Sequence, residues 1–222
     1  MNDDPIIIIP SREGSTRLPQ KPLIDLNGKS LVQRVFELAL KITNNVYIAT
    51  DSMLIESHAK DFTTNIIMTS DTHISGTDRV HEAASILKVA SDQLIINLQG
   101  DEPAIDIQDI VRLNDKMLKN PSNIGTLAAT IKDNKNLRNE NIVKVITENT
   151  LGEDNFPKGK SFLRKSEQID NIYHHIGVYC YSKDSLEKFV QLSQTKNEIE
   201  NRLEQLRALD NNIDINISLA KS

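Results

Sequence analysis

The chain has 222 residues, enough for one substantial hydrophobic core, and 38% of them are hydrophobic while 26% are charged. Its formal net charge of -5 argues against a nucleic-acid partner or an anionic membrane, because both favour a basic face. The single cysteine, Cys180, excludes an internal disulfide and fits a reducing compartment. No apolar run approaches the ~20 residues of a membrane span. We therefore expect a cytoplasmic protein without nucleic-acid or membrane partners.

The first half of the chain alternates short apolar runs with amphipathic segments. The apolar runs are typical of strands buried on both faces, and they are Ile6–Ile9, Val46–Ala49, Asn65–Met68 and Leu94–Leu98. Helices are predicted between them, over Leu31–Lys41 with Ser30 as N-cap, Met53–Lys60 and Asp78–Lys88. This alternation predicts an α/β fold, with a Rossmann-like, mostly parallel sheet flanked by helices.

After Gly125 strands become more frequent and helices fewer. Strands are predicted over Thr126–Ile131, Ile142–Thr147, Ile172–Tyr181 and Ile213–Leu219, and helices over Lys183–Leu192 and Asn197–Leu209. The stretch Glu148–Asp170 is polar and carries Gly152, Pro157 and Gly159, so we expect a mobile excursion there. The fold prediction therefore includes a small β-rich excursion beside the main sheet.

The first predicted strand runs directly into a cluster of positive charge. Arg12, Arg17 and Lys21 follow it closely, together with the hydroxyls of Ser15 and Thr16. In open α/β sheets, ligands bind beyond the carboxyl ends of the strands. Arginine grips phosphate oxygens bidentately and lysine adds a point charge. Cations gathered at this position in an acidic protein indicate a phosphate site rather than a solvated basic loop.

Two familiar phosphate-binding loops are excluded by the residues present. Gly28-Lys29-Ser30 resembles the end of a Walker A motif, but Leu23 stands where that motif needs glycine. No G-x-G-x-x-G pattern follows the first strand, so a dinucleotide-binding fold is unsupported. The Gly28-Lys29-Ser30 fragment is predicted to be a turn and a helix cap.

A second strand end also carries chemistry. Leu94–Leu98 leads into Gln99-Gly100-Asp101-Glu102-Pro103. A carboxylate just past a buried strand is well placed to hold Mg²⁺ against nucleotide phosphates, because hard cations prefer oxygen ligands. Taken alone, Asp101 is equally well explained as a turn residue or helix N-cap. Opposite a basic phosphate loop, metal binding is the favoured interpretation.

These segments resemble the signatures of the 3-deoxy-manno-octulosonate (Kdo) cytidylyltransferase family, also called CMP-Kdo synthetases. The first matching segment is Ile9-Pro10-Ser11-Arg12-x-x-Ser15-Thr16-Arg17-Leu18-Pro19-x-Lys21-Pro22-Leu23. The others follow in the family's order along nearly the whole chain: Thr50-Asp51, Met68-Thr69-Ser70-x-x-His73-x-Ser75-Gly76-Thr77-Asp78-Arg79, Asn97-Leu98-Gln99-Gly100-Asp101-Glu102-Pro103, Val143-Lys144-Val145, His175-Ile176-Gly177-Val178-Tyr179 and Leu203-Glu204-Gln205-Leu206-Arg207.

The resemblance implies a Mg²⁺-dependent enzyme that transfers CMP from CTP to the anomeric hydroxyl of Kdo. Pyrophosphate would be released, and CMP-Kdo would serve lipopolysaccharide assembly. The resemblance further implies one nucleotidyltransferase domain over residues 1–222, acting as a homodimer. Its nucleotide-binding half would lie near residues 1–125, and its sugar-binding and subunit-contact half near 126–222.

The matching motifs also imply roles for individual residues. The nucleotide would be held by Arg12, Ser15, Thr16, Arg17, Lys21, Ser75 and Gly76. Arg12, Lys21 and Asp101 would be catalytic, with Asp101 as the Mg²⁺ ligand. The sugar would be bound by Arg79, Gln99, His175, Glu204 and Gln205, and Arg79 would face the Kdo carboxylate.

Several alternatives stay open at this point. His175 is also explained as a hydrogen-bonded strand histidine, and Glu204 with Arg207 as a surface pair. Family members usually continue past the strand matching Ile213–Leu219 into an aspartate-containing segment that supplies a further metal ligand. That segment is not found here, so we expect a chain shortened at its C-terminus. The alternatives to an active Kdo enzyme are a nucleotide-binding paralogue without turnover and a cytidylyltransferase for a related sugar acid.

Overall fold

The computed structural model describes residues 4–13 and 20–221, which fall into two compact units, Met1–Ile107 and Gln108–Ser222. Three residues predicted to bind the nucleotide, Ser15, Thr16 and Arg17, lie outside the described residues. Their roles stay predictions, as does the division of the chain near residue 125.

The first unit is built on four parallel strands in the order β3-β2-β1-β4. These strands are β1 Ile6–Ser11, β2 Val46–Thr50, β3 Ile66–Met68 and β4 Leu94–Asn97. The helices between them are α1 Leu31–Ala39, α2 Met53–Ala59 and α3 Gly76–Ile86, and a short 3-10 turn covers Lys21–Leu23. In β1 the isoleucines are at most 8% exposed, as a strand covered on both faces requires.

Caps fix where the helices of the first unit begin. Ser30 accepts a hydrogen bond from the Gln33 amide at 3.2 Å, and Gly28 adopts a φ of +82°, so the predicted turn and helix cap are confirmed. Helix α3 begins two residues earlier than expected, because Ser75 and Asp78 form a capping box across its first turn.

The second unit contains both parallel and antiparallel strand pairs. Strand β5, Ile124–Thr130, pairs in parallel with β9, Ile215–Ala220, and antiparallel with β8, Ile172–Ser182. Strand β6, Lys144–Thr147, pairs antiparallel with β7, Gly159–Leu163, and with β8. The helices are α4 Ile107–Lys119, which starts at the last residue of the first unit, α5 Lys183–Val190, α6 Lys196–Asn201 and α7 Leu206–Asp210. The single cysteine, Cys180, is buried and lies in β8.

Three elements of the second unit differ from the expectations. Helix α4 was not expected, although its buried residues Ile110, Leu113 and Met117 have helical spacing. The stretch expected to be a mobile excursion contains an ordered strand, β7. Phe162 of this strand pairs with β6 and is 1% exposed. The single helix expected over Asn197–Leu209 is two helices, because Arg202 takes a left-handed φ of 53°.

The predicted α/β class, with mostly parallel strands and flanking helices, is confirmed. Across the described part of the chain, we find no helix whose length and apolar character suit a membrane crossing.

A buried ion pair stabilises the end of the second unit. Glu198 accepts hydrogen bonds from Arg207 at 2.6 and 2.9 Å, and the two residues are only 4% and 1% exposed. The interpretation of Arg207 as part of a surface pair is therefore wrong. Burial by itself raises the pKa of Glu198, but hydrogen bonds led by Arg207 outweigh it and lower the pKa.

We expect Arg207→Met to lower the free energy of unfolding by about 3 kcal/mol, because it leaves a buried carboxylate without its partner. Urea denaturation measures the change. Because folding lowers the pKa of Glu198, its contribution is present above the ordinary value of 4.5 and disappears as the pH falls below it. The difference in free energy of unfolding between wild type and Arg207→Met should therefore become smaller in acid.

The matched control is Lys196→Met. Lys196 pairs with Glu200 on the same helix, but these side chains are 88% and 61% exposed, so the loss should stay below about 1 kcal/mol. Equal losses for the two variants would contradict the account.

Candidate functional site

A cavity of about 510 Å³ lies in the first unit, beyond the carboxyl ends of β1 and β4. Its volume falls within the range of about 300–1,000 Å³ that small-molecule sites occupy. Five segments line it: the end of β1, the 3-10 turn, the first residue of α1, the start of α3 with the residues before it, and the loop after β4. The lining residues are Pro10, Ser11, Arg12, Lys21, Pro22, Leu31, His73, Ser75, Gly76, Arg79, Gln99, Gly100 and Asp101. The cavity thus gathers seven residues predicted to bind nucleotide, metal or sugar: Arg12, Lys21, Ser75, Gly76, Arg79, Gln99 and Asp101.

Two predicted phosphate ligands border this cavity. Arg12 follows β1 directly and is exposed. Lys21 donates a hydrogen bond from Nζ to Asp101 Oδ2 at 2.5 Å, and the two side chains are 37% and 46% exposed. An ion pair this open to water contributes at most about 1 kcal/mol, so it separates readily. The lysine can then turn to an anionic ligand, and the carboxylate to another cation.

Glu13, near the start of the basic segment that follows β1, hydrogen-bonds to Gln20 near the end of that segment and to Ser52. Its carboxylate accepts hydrogen bonds from Ser52 Oγ at 2.8 Å and from Gln20 Nε2 at 3.4 Å. The backbone carbonyl of Glu13 also accepts from the Gln20 amide at 3.4 Å. These contacts hold the residues that flank the loop close together at the carboxyl end of β1.

The start of α3 contributes backbone and hydroxyl groups. Asp78 accepts hydrogen bonds from the Ser75 amide at 3.1 Å and from Ser75 Oγ at 2.7 Å. Gly76 lies against β1, since a Cβ atom there would be 3.4 Å from Pro10 Cγ. The positive end of the helix dipole at Gly76 suits an anionic ligand.

Arg79 is buried and already carries a counter-charge. It is 2% exposed, and its guanidinium donates to Asp51 Oδ2 at 2.5 Å and to Thr69 Oγ1. Asp51 follows β2 and Thr69 follows β3, so the carboxyl ends of neighbouring strands fix this side chain. The part of Arg79 that lines the cavity is thereby held rigidly. Its predicted contact with the Kdo carboxylate stays a prediction.

The loop after β4 is fitted closely to β1. Gln99 Nε2 donates to Asn97 Oδ1 at 2.9 Å, which orients the Gln99 amide at the cavity wall. A Cβ atom at Gly100 would be only 2.9 Å from Ser11 Oγ and 3.3 Å from the Pro10 carbonyl oxygen. Any larger residue at position 100 would force Ser11 or the neighbouring strand to shift, so glycine suits this close approach. The next residue, Asp101, faces Lys21.

The residues around Asp101 fit Mg²⁺. Among residues 4–13 and 20–221, no three histidine, cysteine or acidic side chains cluster to form a complete protein cage. Mg²⁺ needs no such cage, because it keeps several waters and binds through one or two carboxylates plus substrate phosphates. Asp101 already faces a cation, the Lys21 ammonium. The neighbouring Glu102 has a raised pKa, chiefly through burial and also through the Asp101 charge, which marks it as the poorer ligand.

The remaining predicted sugar ligands lie in the second unit, around Tyr179. The His175 ring contacts the rings of Phe162 and Tyr179, and its Nε2 lies 3.0 Å from Thr126 Oγ1. Burial and the nearby His174 lower the pKa of His175 to about 3, so the ring is neutral. This agrees with the alternative reading of a hydrogen-bonded strand histidine.

Glu204 and Gln205 line a gap beside Tyr179 of about 10 Å³. That volume holds about one water and no sugar. The sugar contacts of His175, Glu204 and Gln205 therefore stay predictions.

Two cavity residues with polar side chains, His73 and Ser11, received no role from the sequence. Both lie inside the matching motifs, but only their neighbours carried obvious phosphate or metal chemistry. A histidine three residues before a helix start, within a motif, was the available signal for His73.

Comparison with known proteins agrees with this geometry. A family model described as cytidylyltransferase matches residues 6–215. An 8-amino-3,8-dideoxy-manno-octulosonate cytidylyltransferase from Shewanella pealeana is 36% identical over 96% of this chain and 89% of its own length. A 3-deoxy-manno-octulosonate cytidylyltransferase from Haemophilus influenzae is 37% identical over 97% of this chain and 89% of its own length.

Among solved structures, a CMP:2-keto-3-deoxy-manno-octonic acid synthetase complexed with CTP superposes with a TM-score of 0.87 at 34% identity. The match covers 98% of this chain and 90% of that one. Since the family model spans most of the sequence and relatives above 30% identity cover nearly all of it, the chain belongs to the cytidylyltransferase family.

Proposed function

We propose that this enzyme transfers CMP from CTP to the anomeric hydroxyl of Kdo, releasing pyrophosphate and forming CMP-Kdo. The observation that carries the proposal is the cavity of the first unit, where Arg12, Lys21 and Arg79 surround a space that Asp101 also borders. Three cations in an acidic protein suit a triphosphate and a sugar carboxylate. The names of the relatives support CTP and an octulosonate as the two substrates.

The residues act mainly by positioning and by neutralising charge, which dominate catalysis of phosphoryl-type transfers. Arg12 and Lys21 draw the triphosphate into the cavity, and the start of α3 adds backbone donors. The sugar hydroxyl then attacks the α-phosphorus and gives up its proton to water while the bond between the α- and β-phosphates breaks. Pyrophosphate leaves with its negative charge balanced by the basic side chains. Mg²⁺ held by Asp101 would neutralise phosphate charge and lower the pKa of the attacking hydroxyl.

A second substrate is favoured by one specific finding. The relative from Shewanella pealeana is named for the 8-amino sugar acid and matches this chain about as well as the Haemophilus influenzae relative named for Kdo. A cytidylyltransferase for the amino analogue is therefore the alternative. The second alternative is a paralogue that binds nucleotide without turnover. The homodimer and the part in lipopolysaccharide assembly rest on the family resemblance alone, and the cytoplasmic location stays an expectation drawn from the sequence.

The direct test is pyrophosphate release by the folded protein with CTP, Mg²⁺ and either Kdo or its 8-amino analogue. We expect release with Kdo, and the ratio of kcat/KM for the two sugars identifies the preferred substrate. No release with either sugar would overturn the proposal, and CTP binding by calorimetry without turnover would instead favour the paralogue.

Asp101→Asn should lower kcat by at least about 100-fold, because the amide is a much weaker ligand for the metal. Steady-state pyrophosphate release measures the loss. Glu37→Gln is the matched control, since Glu37 pairs with Lys29 at 2.6 Å outside the cavity and should keep wild-type kcat. An Asp101→Asn enzyme with normal turnover would show that this carboxylate holds no catalytic metal.

Lys21→Met should raise the dissociation constant of CTP about 10- to 100-fold, because a hydrogen bond to a charged group contributes about 1.5–3 kcal/mol. Isothermal calorimetry at constant ionic strength measures the change. Lys29→Met is the control, because Lys29 has similar exposure and an ion pair of the same kind but does not line the cavity. Equal CTP affinity of Lys21→Met and wild type would exclude the triphosphate contact.

A further inference from the structure

The segment of residues 69–75, between β3 and α3, contributes His73 and Ser75 to the cavity wall. It is neither helix nor strand, so no regular backbone ladder fixes its shape. Such a segment is positioned by the side chains that its neighbours offer. Here those side chains come from one face of α3.

Three α3 residues, Asp78, Arg79 and Glu82, hold this segment. Asp78 accepts from the Ser75 amide at 3.1 Å, and Arg79 donates to the Ser70 carbonyl oxygen at 3.4 Å. Asp78 and Glu82 are four residues apart, and Arg79 and Glu82 are three apart, so all three side chains lie near one side of the helix. The segment is therefore hydrogen-bonded to α3 near both of its ends, at Ser70 and at Ser75. Glu82 lies one helical turn after Asp78, which caps the helix.

Glu82 binds two groups of the segment with one oxygen. Its Oε2 accepts from the Ser70 amide at 2.8 Å and lies 2.5 Å from His73 Nε2. Burial by itself raises the pKa of Glu82, but the hydrogen bonds from His73 and Ser70 outweigh it, so the pKa is lowered. An ionised carboxylate only accepts hydrogen bonds, and consequently the hydrogen of this contact belongs to His73 Nε2.

His73 lines the cavity wall, and only its Nε2 takes part in the contact with Glu82. The His73 side chain is 19% exposed, while its ring is oriented by the carboxylate behind it. In a neutral imidazole with its hydrogen on Nε2, Nδ1 carries a lone pair and accepts a hydrogen bond.

We infer that Glu82 is a positioning residue that orients His73 so that Nδ1 accepts a hydrogen bond from a hydroxyl or amino group of a bound substrate. This inference rests on the proposed function, in which both the nucleotide and the sugar acid carry such donors. A carboxylate suits this role better than an amide. Glutamine would satisfy the Ser70 amide equally well, but it can offer either its oxygen or its NH₂ group to the ring, so the tautomer would no longer be fixed.

A double-mutant cycle tests whether Glu82 acts through His73. We expect His73→Ala and Glu82→Ala each to lower kcat/KM about 10- to 100-fold, because a misplaced or missing contact in a site of this kind has effects of that size. The double variant should be no slower than the worse single one, since the second change removes a contact already lost. Fully additive losses, or a His73→Ala enzyme with wild-type kinetics, would overturn the inference.

The same kinetics identify the substrate that His73 contacts. If the nucleotide supplies the donor, KM for CTP and the calorimetric dissociation constant of CTP rise in His73→Ala; if the sugar acid does, only KM for the sugar rises. His58→Asn is the control, because His58 also hydrogen-bonds through Nε2, to Ser30 Oγ at 2.8 Å, but does not line the cavity. It should keep both KM values.

A spectroscopic measurement keeps the inference testable without turnover and where Glu82→Ala does not fold. Long-range ¹H–¹⁵N correlation spectra of histidine-labelled protein report the tautomer of His73, with its signals assigned from His73→Asn. We expect the Nε2–H form in wild type and a mixture with the Nδ1–H form in Glu82→Gln. An Nδ1–H ring in wild type, or an unchanged ring in Glu82→Gln, would contradict the positioning role. Absent pyrophosphate release with the expected tautomers would instead count against the proposed function alone.

Discussion

The parallel pairing of β1 with β2 and β4, and of β2 with β3, is the constraint on which the site depends. Parallel strands end at the same edge of a sheet, so whatever follows them is brought together there. Arg12 follows β1, Asp51 follows β2, Thr69 follows β3 and Asp101 comes shortly after β4. The ion pair of Arg79 with Asp51 and that of Lys21 with Asp101 both form at this edge.

Charge at this edge is arranged in two ways that suit different tasks. The Arg79–Asp51 pair is largely buried, with side-chain exposures of 3% and 19%, and it serves to hold the cavity wall in shape. The Lys21–Asp101 pair is far more open, at 37% and 46%, so water screens it and a ligand can separate it. A site for a triphosphate and a cation needs both: a rigid frame, and charges free to change partners.

The sequence predicted the strands of the first unit and the residues at their ends well, because continuous isoleucine runs and clustered charges are local signals. It did not predict the partners of those charges. The contacts of Arg79 with Asp51 and of Glu82 with His73 depend on which loops the sheet brings together. Helix α4 was missed although its buried residues have helical spacing, and the break at Arg202 was missed because nothing in the residue type marks a left-handed φ.

We propose that CTP binds at the carboxyl edge of the first unit. Amide hydrogen exchange followed by mass spectrometry, with and without saturating CTP and Mg²⁺, tests it most directly. We expect slower amide exchange over residues 9–13, 69–76 and 97–102, while exchange of residues 44–48, at the opposite ends of the strands, stays unchanged. Unaltered exchange at all three segments under saturating CTP would contradict it.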